Sequence, residues 1–323
     1  MTPQPPTYTR SQLTQYLQRI RYHEPAGDDG DSRLRHLEQA IQQDPLAALA
    51  ELQRRQLSTI PFGSSVLHYS PHHTITLHPE TLFHKLVERR LDGYCMENSG
   101  LFHVVLRSLG FTVYATGGRV SNAVSGGGLV DDGCYGGFDH MVLIVTVGEN
   151  KYMVDVGFGP LCAPRPLLLR EDGITASIVP AQMRLIKDSI PEFTDKSQKV
   201  WIYQVRFSPE GAWLPGFCFS EIEFLPQDFE VMNLSKSTSR SSFFTYKVIA
   251  VRMILNEKED DLVGQYIMSE NQVKRRLHGN TEILETLQTE TDRVNALAKW
   301  FDMHLRPEEV RAIRGMVSEI TRA

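Results

Sequence analysis

Leu91-Asp92-Gly93-Tyr94-Cys95-Met96-Glu97-Asn98 is the stretch on which the reading of this chain turns. Beyond it, Leu101, Val104, Val105 and Leu109 recur at helical spacing, and Gly110 stands where a glycine ends a helix. The pattern predicts a helix opening near Cys95. A thiol at a helix N-terminus faces N–H groups without intrahelical partners and the positive end of the dipole, and both favour the thiolate. Cys95 is therefore a candidate nucleophile, against the bland alternative of a small buried packing residue.

Two residues downstream suit it as partners. His140 precedes the apolar run Met141-Val142-Leu143-Ile144-Val145 and follows a glycine-rich segment, a place from which a side chain can face a cleft mouth. Asp155 lies between Val154 and Val156, where a carboxylate is costly to bury without a partner. Orienting an imidazole is one use for it, since the base of a nucleophile pair needs a third group to fix its tautomer; a structural aspartate at a strand end is the other. Gly157-Phe158-Gly159 follows directly, a turn of the kind whose N–H groups can converge on an anion. His68, His72, His73 and His78 have no thiol near them and only Glu80 as a carboxylate, so they read as loop surface, not a metal site.

Around this centre the chain changes character twice. Residues 1–110 read as a helical bundle. Thr9-x-x-Gln12 forms a capping box ahead of Leu13, Tyr16, Leu17 and Ile20; Ser32 caps a second helix; Asp44-Pro45 opens a third. Residues 111–227 read as mostly β, a small barrel or curled sheet, with strands at 111–115, 141–147, 152–156, 201–207 and 217–224. Ser121 to Asp139, with Gly126-Gly127-Gly128, reads as a long exposed loop. Residues 228–323 mix both types: a strand over 243–255, a helix capped by Thr291, and another opened by Pro307 that carries Val310, Ile313 and Val317.

Composition bounds the rest. With 323 residues, 41% hydrophobic and 23% charged, the chain has ordinary globular usage. A net charge of −5 makes it a poor candidate for nucleic acid, yet leaves a small anionic ligand open. Residues 1–6 lack a signal-peptide pattern, and no run approaches the ~18–20 apolar residues of a membrane span. Four scattered cysteines form neither a disulfide framework nor a zinc spacing, so a cytoplasmic enzyme with a free thiol is expected.

At these motifs the chain resembles the arylamine N-acetyltransferase family, and its more elaborate loops make it similar to fungal members. Ile60-Pro61-Phe62, Gly93-Tyr94-Cys95-Met96-Glu97-Asn98, Leu109-Gly110-Phe111, Arg119-Val120, His140-Met141-Val142-Leu143 and Val154-Asp155-Val156-Gly157-Phe158-Gly159 carry the likeness. Ser237-Thr238-Ser239 and Phe243-Phe244-Thr245 extend it into the last third. His140 lies 45 residues after Cys95, a long interval that the glycine-rich insertion accounts for, and Asp155 lies 15 after His140. The signature departs at Leu91-Asp92, where the family has Arg-Gly, and at Ser99, where many members place Asn; Arg89 and Arg90 are the cations nearest the missing one.

The resemblance implies an α+β fold: an N-terminal helical bundle, a central β-barrel and a C-terminal α/β lid around a Cys-His-Asp core like that of cysteine proteases. It implies a ping-pong reaction. Cys95 takes an acyl group from acyl-coenzyme A (acetyl-, propionyl- or malonyl-CoA) and passes it to an arylamine or arylhydrazine, with His140 as base, Asp155 orienting it, and no metal. It further implies that the Gly157, Phe158 and Gly159 turn meets the donor pyrophosphate and that Phe158 lines the acceptor pocket, with simple core packing as the alternative for that side chain. The physiological amine stays open, with plant-derived and agrochemical aromatics as the range for fungal relatives. A cysteine hydrolase or transglutaminase-like enzyme, and a non-catalytic binding protein on the same scaffold, are the alternatives.

Overall fold

The computed structural model describes residues 5–23, 30–125, 133–171 and 173–321. The N-terminal part carries α1 (Arg10–Arg19), α2 (Gly30–Gln43) and α3 (Pro45–Thr59). The two-residue strand β1 (Phe62–Gly63), the short α4 (Val66–Tyr69) and α5 (Pro79–Phe83) come next, and α5 runs on into a π-helical turn, His84–Glu88. The long α6 (Cys95–Ser108) closes this part. Two of the capping signals hold where they were read: Gln12 N donates to Thr9 Oγ1, and Leu46 N and Ala47 N donate to Asp44 Oδ1. α6 opens at Cys95 itself and ends before Gly110, whose φ of 86° is one that glycine adopts without strain. Leu101, Phe102, Val105 and Leu106 are fully buried, so α6 is the central rod of the helical layer.

The next strands are β2 (Thr112–Ser121), β3 (Tyr135–Val147), β4 (Asn150–Val154), β5 (Leu167–Leu168), β6 (Thr175–Ala176), β7 (Gln182–Asp188), β8 (Val200–Arg206) and β9 (Leu214–Phe219). They form one antiparallel sheet, ordered β5-β4-β3-β2-β9-β8-β7-β6, that curls into a nearly closed barrel. Its middle strand explains the apolar run. Met141, Leu143 and Val145 pack into the core shared with the helices, while Val142 and Ile144 point into the barrel interior. A strand buried on both faces reads as a continuous hydrophobic run.

After α7 (Pro226–Thr238), strands β10 (Ile249–Leu255), β11 (Leu262–Ser269), β12 (Gln272–Leu277) and β13 (Asn280–Thr286) follow. With β1 they make a second sheet, ordered β1-β10-β11-β12-β13, packed against α8 (Glu290–Phe301), with α9 (Pro307–Ala312) beyond. Because Phe62 pairs with Val251 and Gly63 with Ala250, the segment leading to Cys95 is stitched to the C-terminal sheet.

Several boundaries differ from the sequence reading. Ser32 lies inside α2, which starts at Gly30, with Asp31 at the positive end of the helix. α8 is capped by Thr289, not Thr291, because Thr289 and Asp292 bond reciprocally at the capping-box spacing. Phe243–Thr245 is a 3₁₀ turn, so the strand read from 243 starts only at Ile249. β9 stops at Phe219, and α9 stops at Ala312, leaving Val317 79% exposed. Tyr135 to Asp139 belongs to β3, not to a loop, while Gly126-Gly127-Gly128 lies outside the described residues.

Candidate active site

Three elements meet at Cys95. It is the first residue of α6, and Glu97 Oε2 accepts Tyr94 N at 3.2 Å to hold the entry turn. His140 comes from the interior of β3 instead of its start, beside a bulge where the β2–β3 register shifts between Gly118 and Arg119. Bulges turn side chains toward active sites in this way. Asp155 sits just past the end of β4, where its backbone has left the ladder and its carboxylate can turn to the imidazole. Asp155 Oδ2 stands 2.8 Å from His140 Nε2, with both side chains almost wholly buried. Cys95 also favours the charged form of the same ring. With Nε2 committed to Asp155, Nδ1 is the nitrogen left for the thiol.

The electrostatics follow from that chain. Burial alone would pull His140 below its usual value, but the Asp155 charge, the hydrogen bond to it and the contact with Cys95 outweigh burial and raise it to about 10. The imidazolium is thus the resting form of the ring at neutral pH. The aromatic rings of Phe158 and Phe217 stack around it at 4.9 and 4.7 Å, shielding the pair from water. The other buried thiols sit differently. Burial pushes Cys218 up to about 12 and Cys162 well above the ordinary thiol range, and Cys162 Sγ lies against the Asp155 carbonyl.

The Gly157-Phe158-Gly159 turn is built around the site in a way the sequence did not reveal. Gly157 N donates to Asp155 Oδ1 at 2.7 Å. A Cβ on Gly157 would lie 2.5 Å from Cys95 Cα. Glycine is there because two backbones touch. The turn fixes the carboxylate and leaves room for the nucleophile, and Phe158 forms part of the cavity wall.

Other supports escaped the reading. Gln53, fully buried on α3, donates to the carbonyls of Asp155 and Ala163 and so holds the aspartate's backbone. Ser99 Oγ donates to Met141 O, tying α6 to the strand of His140. Arg89 and Arg90 do not replace the family's arginine: they pair with Glu309 and Asp302 on the C-terminal side. Lys85 supplies the charge, 2.5 Å from buried Glu97, and its field also reaches Asp92. His68 is fully buried, not loop surface, with Nε2 on Phe244 O and Nδ1 on Ser318 Oγ.

Cys95 and His140 open into a cavity of about 610 Å³ whose walls include Phe62, Phe158, Phe243, Phe244 and Tyr246. A thiol, an imidazolium and a carboxylate in series at the end of an aromatic cleft are equipped for acyl transfer through sulfur.

Comparisons with known proteins agree. A family model described as N-acetyltransferase matches residues 45–310. The chain is 35% identical over 317 residues to the N-malonyltransferase FDB2 of Gibberella moniliformis, covering 95% of this chain and 92% of that one. The arylamine N-acetyltransferase of Salmonella typhimurium superposes with a TM-score of 0.74 at 23% identity, over 95% of this chain and 98% of that one. The Mycobacterium marinum arylamine N-acetyltransferase in complex with CoA gives 0.72 at 25% identity, over 94% and 99%. The shared fold is the cysteine-protease-like one, and the reaction class of the family is acyl transfer. With a likeness running through both sheets and the helical layer, the chain belongs to the arylamine N-acetyltransferase family.

Proposed function

We propose that the protein transfers an acyl group from acyl-coenzyme A to the nitrogen of an arylamine or arylhydrazine through a thioester on Cys95. The observation that carries this is the Cys95–His140–Asp155 series, held in a shielded corner of an aromatic cleft. The Cys95 thiolate attacks the donor's carbonyl carbon, the bond to the coenzyme sulfur breaks, and His140 gives its proton to the departing thiolate. The now neutral imidazole takes a proton from the amine as its nitrogen attacks the Cys95 thioester. The amide leaves, and thiolate and imidazolium are restored. Asp155 keeps the ring oriented and stabilises its charge.

In this reading residues 1–110 supply the nucleophile, 111–227 the base and its aspartate, and 228–323 the lid. The aromatic walls favour a flat aromatic acceptor. Among acetyl-, propionyl- and malonyl-CoA, the malonyltransferase relative favours malonyl-CoA. The buried thiols of Cys95, Cys162 and Cys218 suit a reducing, cytoplasmic setting.

The test is a panel of the three donors against an arylamine, an arylhydrazine and no acceptor, reading thiol release and the intact mass of the protein. A Cys95-bound acyl group that discharges only with amine is expected. Thiol release indifferent to amine would mean a hydrolase, and normal turnover by a folded Cys95→Ala protein would overturn the assignment.

A further inference from the structure

Besides the His140 imidazolium, one lysine faces the cavity of Cys95. Lys236, in the last turn of α7, is the only lysine or arginine among the described residues that line it. Its Nζ stands 2.6 Å from Asp139 Oδ2. Asp139 is itself pinned, accepting Val120 N at Oδ1 and the Cys95 thiol at its backbone carbonyl, the latter at 3.6 Å. A single residue therefore separates the ammonium from the nucleophile. An ammonium has three donors, and Asp139 engages one of them.

A second group points the same way. Ser242 lines this cavity, is only 8% exposed, and its Oγ has no hydrogen-bond partner among the described residues. Buried hydroxyls are almost always paired, and one left alone costs free energy until a partner arrives. Its segment is ordered in advance, since Thr245 Oγ1 donates to the carbonyls of Ser239 and Ser242. The end of α7 and the segment after it thus present an ammonium and an unpaired hydroxyl to a partly aromatic cavity, where a charge-assisted contact is stronger than in water.

We propose that Lys236, assisted by Ser242 Oγ, receives the distal carboxylate of a dicarboxylic monothioester donor. The site would thereby prefer malonyl-CoA to acetyl-CoA. In a malonyl group the free carboxylate is two carbon–carbon bonds from the carbonyl that Cys95 attacks, so its receptor has to share the cavity of the thiol, and Lys236 lines that cavity and is joined to Cys95 through Asp139. An acetyl group has nothing to offer the lysine. The inference rests on the Cys95 acyl-transfer reading above.

The test compares kcat/KM for malonyl-CoA and acetyl-CoA at a fixed arylamine, with melting curves to show folding. Lys236→Met should lower the malonyl-to-acetyl ratio by about ten- to hundred-fold, as for loss of a hydrogen bond to a charged group. Lys236→Arg should recover most of it, and Ser242→Ala should lower it about three-fold. The pair Asp139→Asn with Lys236→Met separates attraction from repulsion: a ratio that stays low supports the lysine contact. A ratio restored in that pair means the single variant only unmasked Asp139, and overturns the proposal. So does a ratio within about two-fold of wild type in Lys236→Met. If wild type acquires an acyl group on Cys95 from both donors while the ratio ignores Lys236, only the carboxylate receptor falls. If neither donor acylates Cys95, the acyl-transfer reading falls and takes this proposal with it.

Discussion

Asp155→Asn probes the series where its energy is greatest. The imidazole of His140 is raised from an ordinary 6.5 to about 10, against the pull of burial, by the Asp155 charge, its hydrogen bond and Cys95. At 1.36 kcal/mol per pKa unit, that gap is on the order of 5 kcal/mol in favour of the imidazolium. Asparagine keeps the shape but removes the charge, so burial prevails and the ring is neutral at pH 7. The expected result is a fall of about three to four orders of magnitude in single-turnover acylation of Cys95 at pH 7, close to the roughly 10⁴-fold loss when a serine triad's aspartate becomes asparagine. The pH profile gives the sharper check. Wild-type acylation should lose its proton donor only as pH climbs through about 10, whereas the variant has already lost it at neutral pH. Stability follows the same sign: a raised histidine contributes fully below its unfolded value near 6.5 and loses that contribution as pH rises through about 10. A variant that acylates within about ten-fold of wild type at pH 7, with its upper limb unmoved, would refute the reasoning.

Gly157→Ala places a Cβ 2.5 Å from Cys95 Cα and 2.9 Å from Cys95 O, both backbone atoms that cannot step aside. It should cost about 1–3 kcal/mol in denaturant unfolding and slow acylation while the alkylated thiol count stays the same. Lys85→Met leaves the buried carboxyls of Glu97 and Asp92 without their cation. We expect a loss of about 3–5 kcal/mol at pH 7, narrowing as pH falls, because burial has already pushed both carboxyls up and protonation relieves them. His68 is held down at about 4, chiefly by burial, so the native state resists its charging and stability drains as pH drops from near 6.5 through 4. His68→Asn should flatten that acid limb by about 2–3 kcal/mol, measured as the difference in unfolding free energy between pH 7 and pH 4.5.

How much of this could be read beforehand depends on where a residue's partners lie in the chain. The start of α6, the double-faced strand of Met141 to Val145 and the His140–Asp155 interval are local patterns, and the structure has each of them in place. Gln53 carries no such mark. It is one of two glutamines on α3, and the carbonyls it serves lie more than a hundred residues away. His68 was misread for the same reason, since Phe244 and Ser318, which make its burial tolerable, come from the opposite end of the chain. β12 and β13 were passed over because their side chains are largely half-exposed and charged, so no apolar alternation signals a strand. Lys236 could not be assigned to the site until α7 placed it on the cavity wall.

The Leu91-Asp92 departure is resolved by the same long-range logic. Asp92 is fully buried, and a carboxylate there is tolerable only with partners. It has them: Ser65 donates to it through both its N–H and its hydroxyl, and Lys85 adds a favourable field. Its Oδ2 fills the space where Gly63 lacks a side chain, 2.1 Å from where a Cβ would stand. Asp92 and Gly63 therefore fit as a pair, and a change at either alone would break the fit. What they join matters for the chemistry. Gly63 belongs to the strand that pairs with the C-terminal sheet, and Gly93 hydrogen-bonds across to Pro61 and Gly63. The turn that delivers Cys95 is thus clamped to the C-terminal sheet on one side, while Lys85 and Glu97 brace the first turn of α6 on the other. One lysine charge faces two buried carboxyls, each pushed up by burial and drawn back by Lys85. The family's arginine is absent, yet a cation still stands behind the nucleophile's helix; it comes from the π-helical turn seven residues before Asp92 instead of from the signature itself.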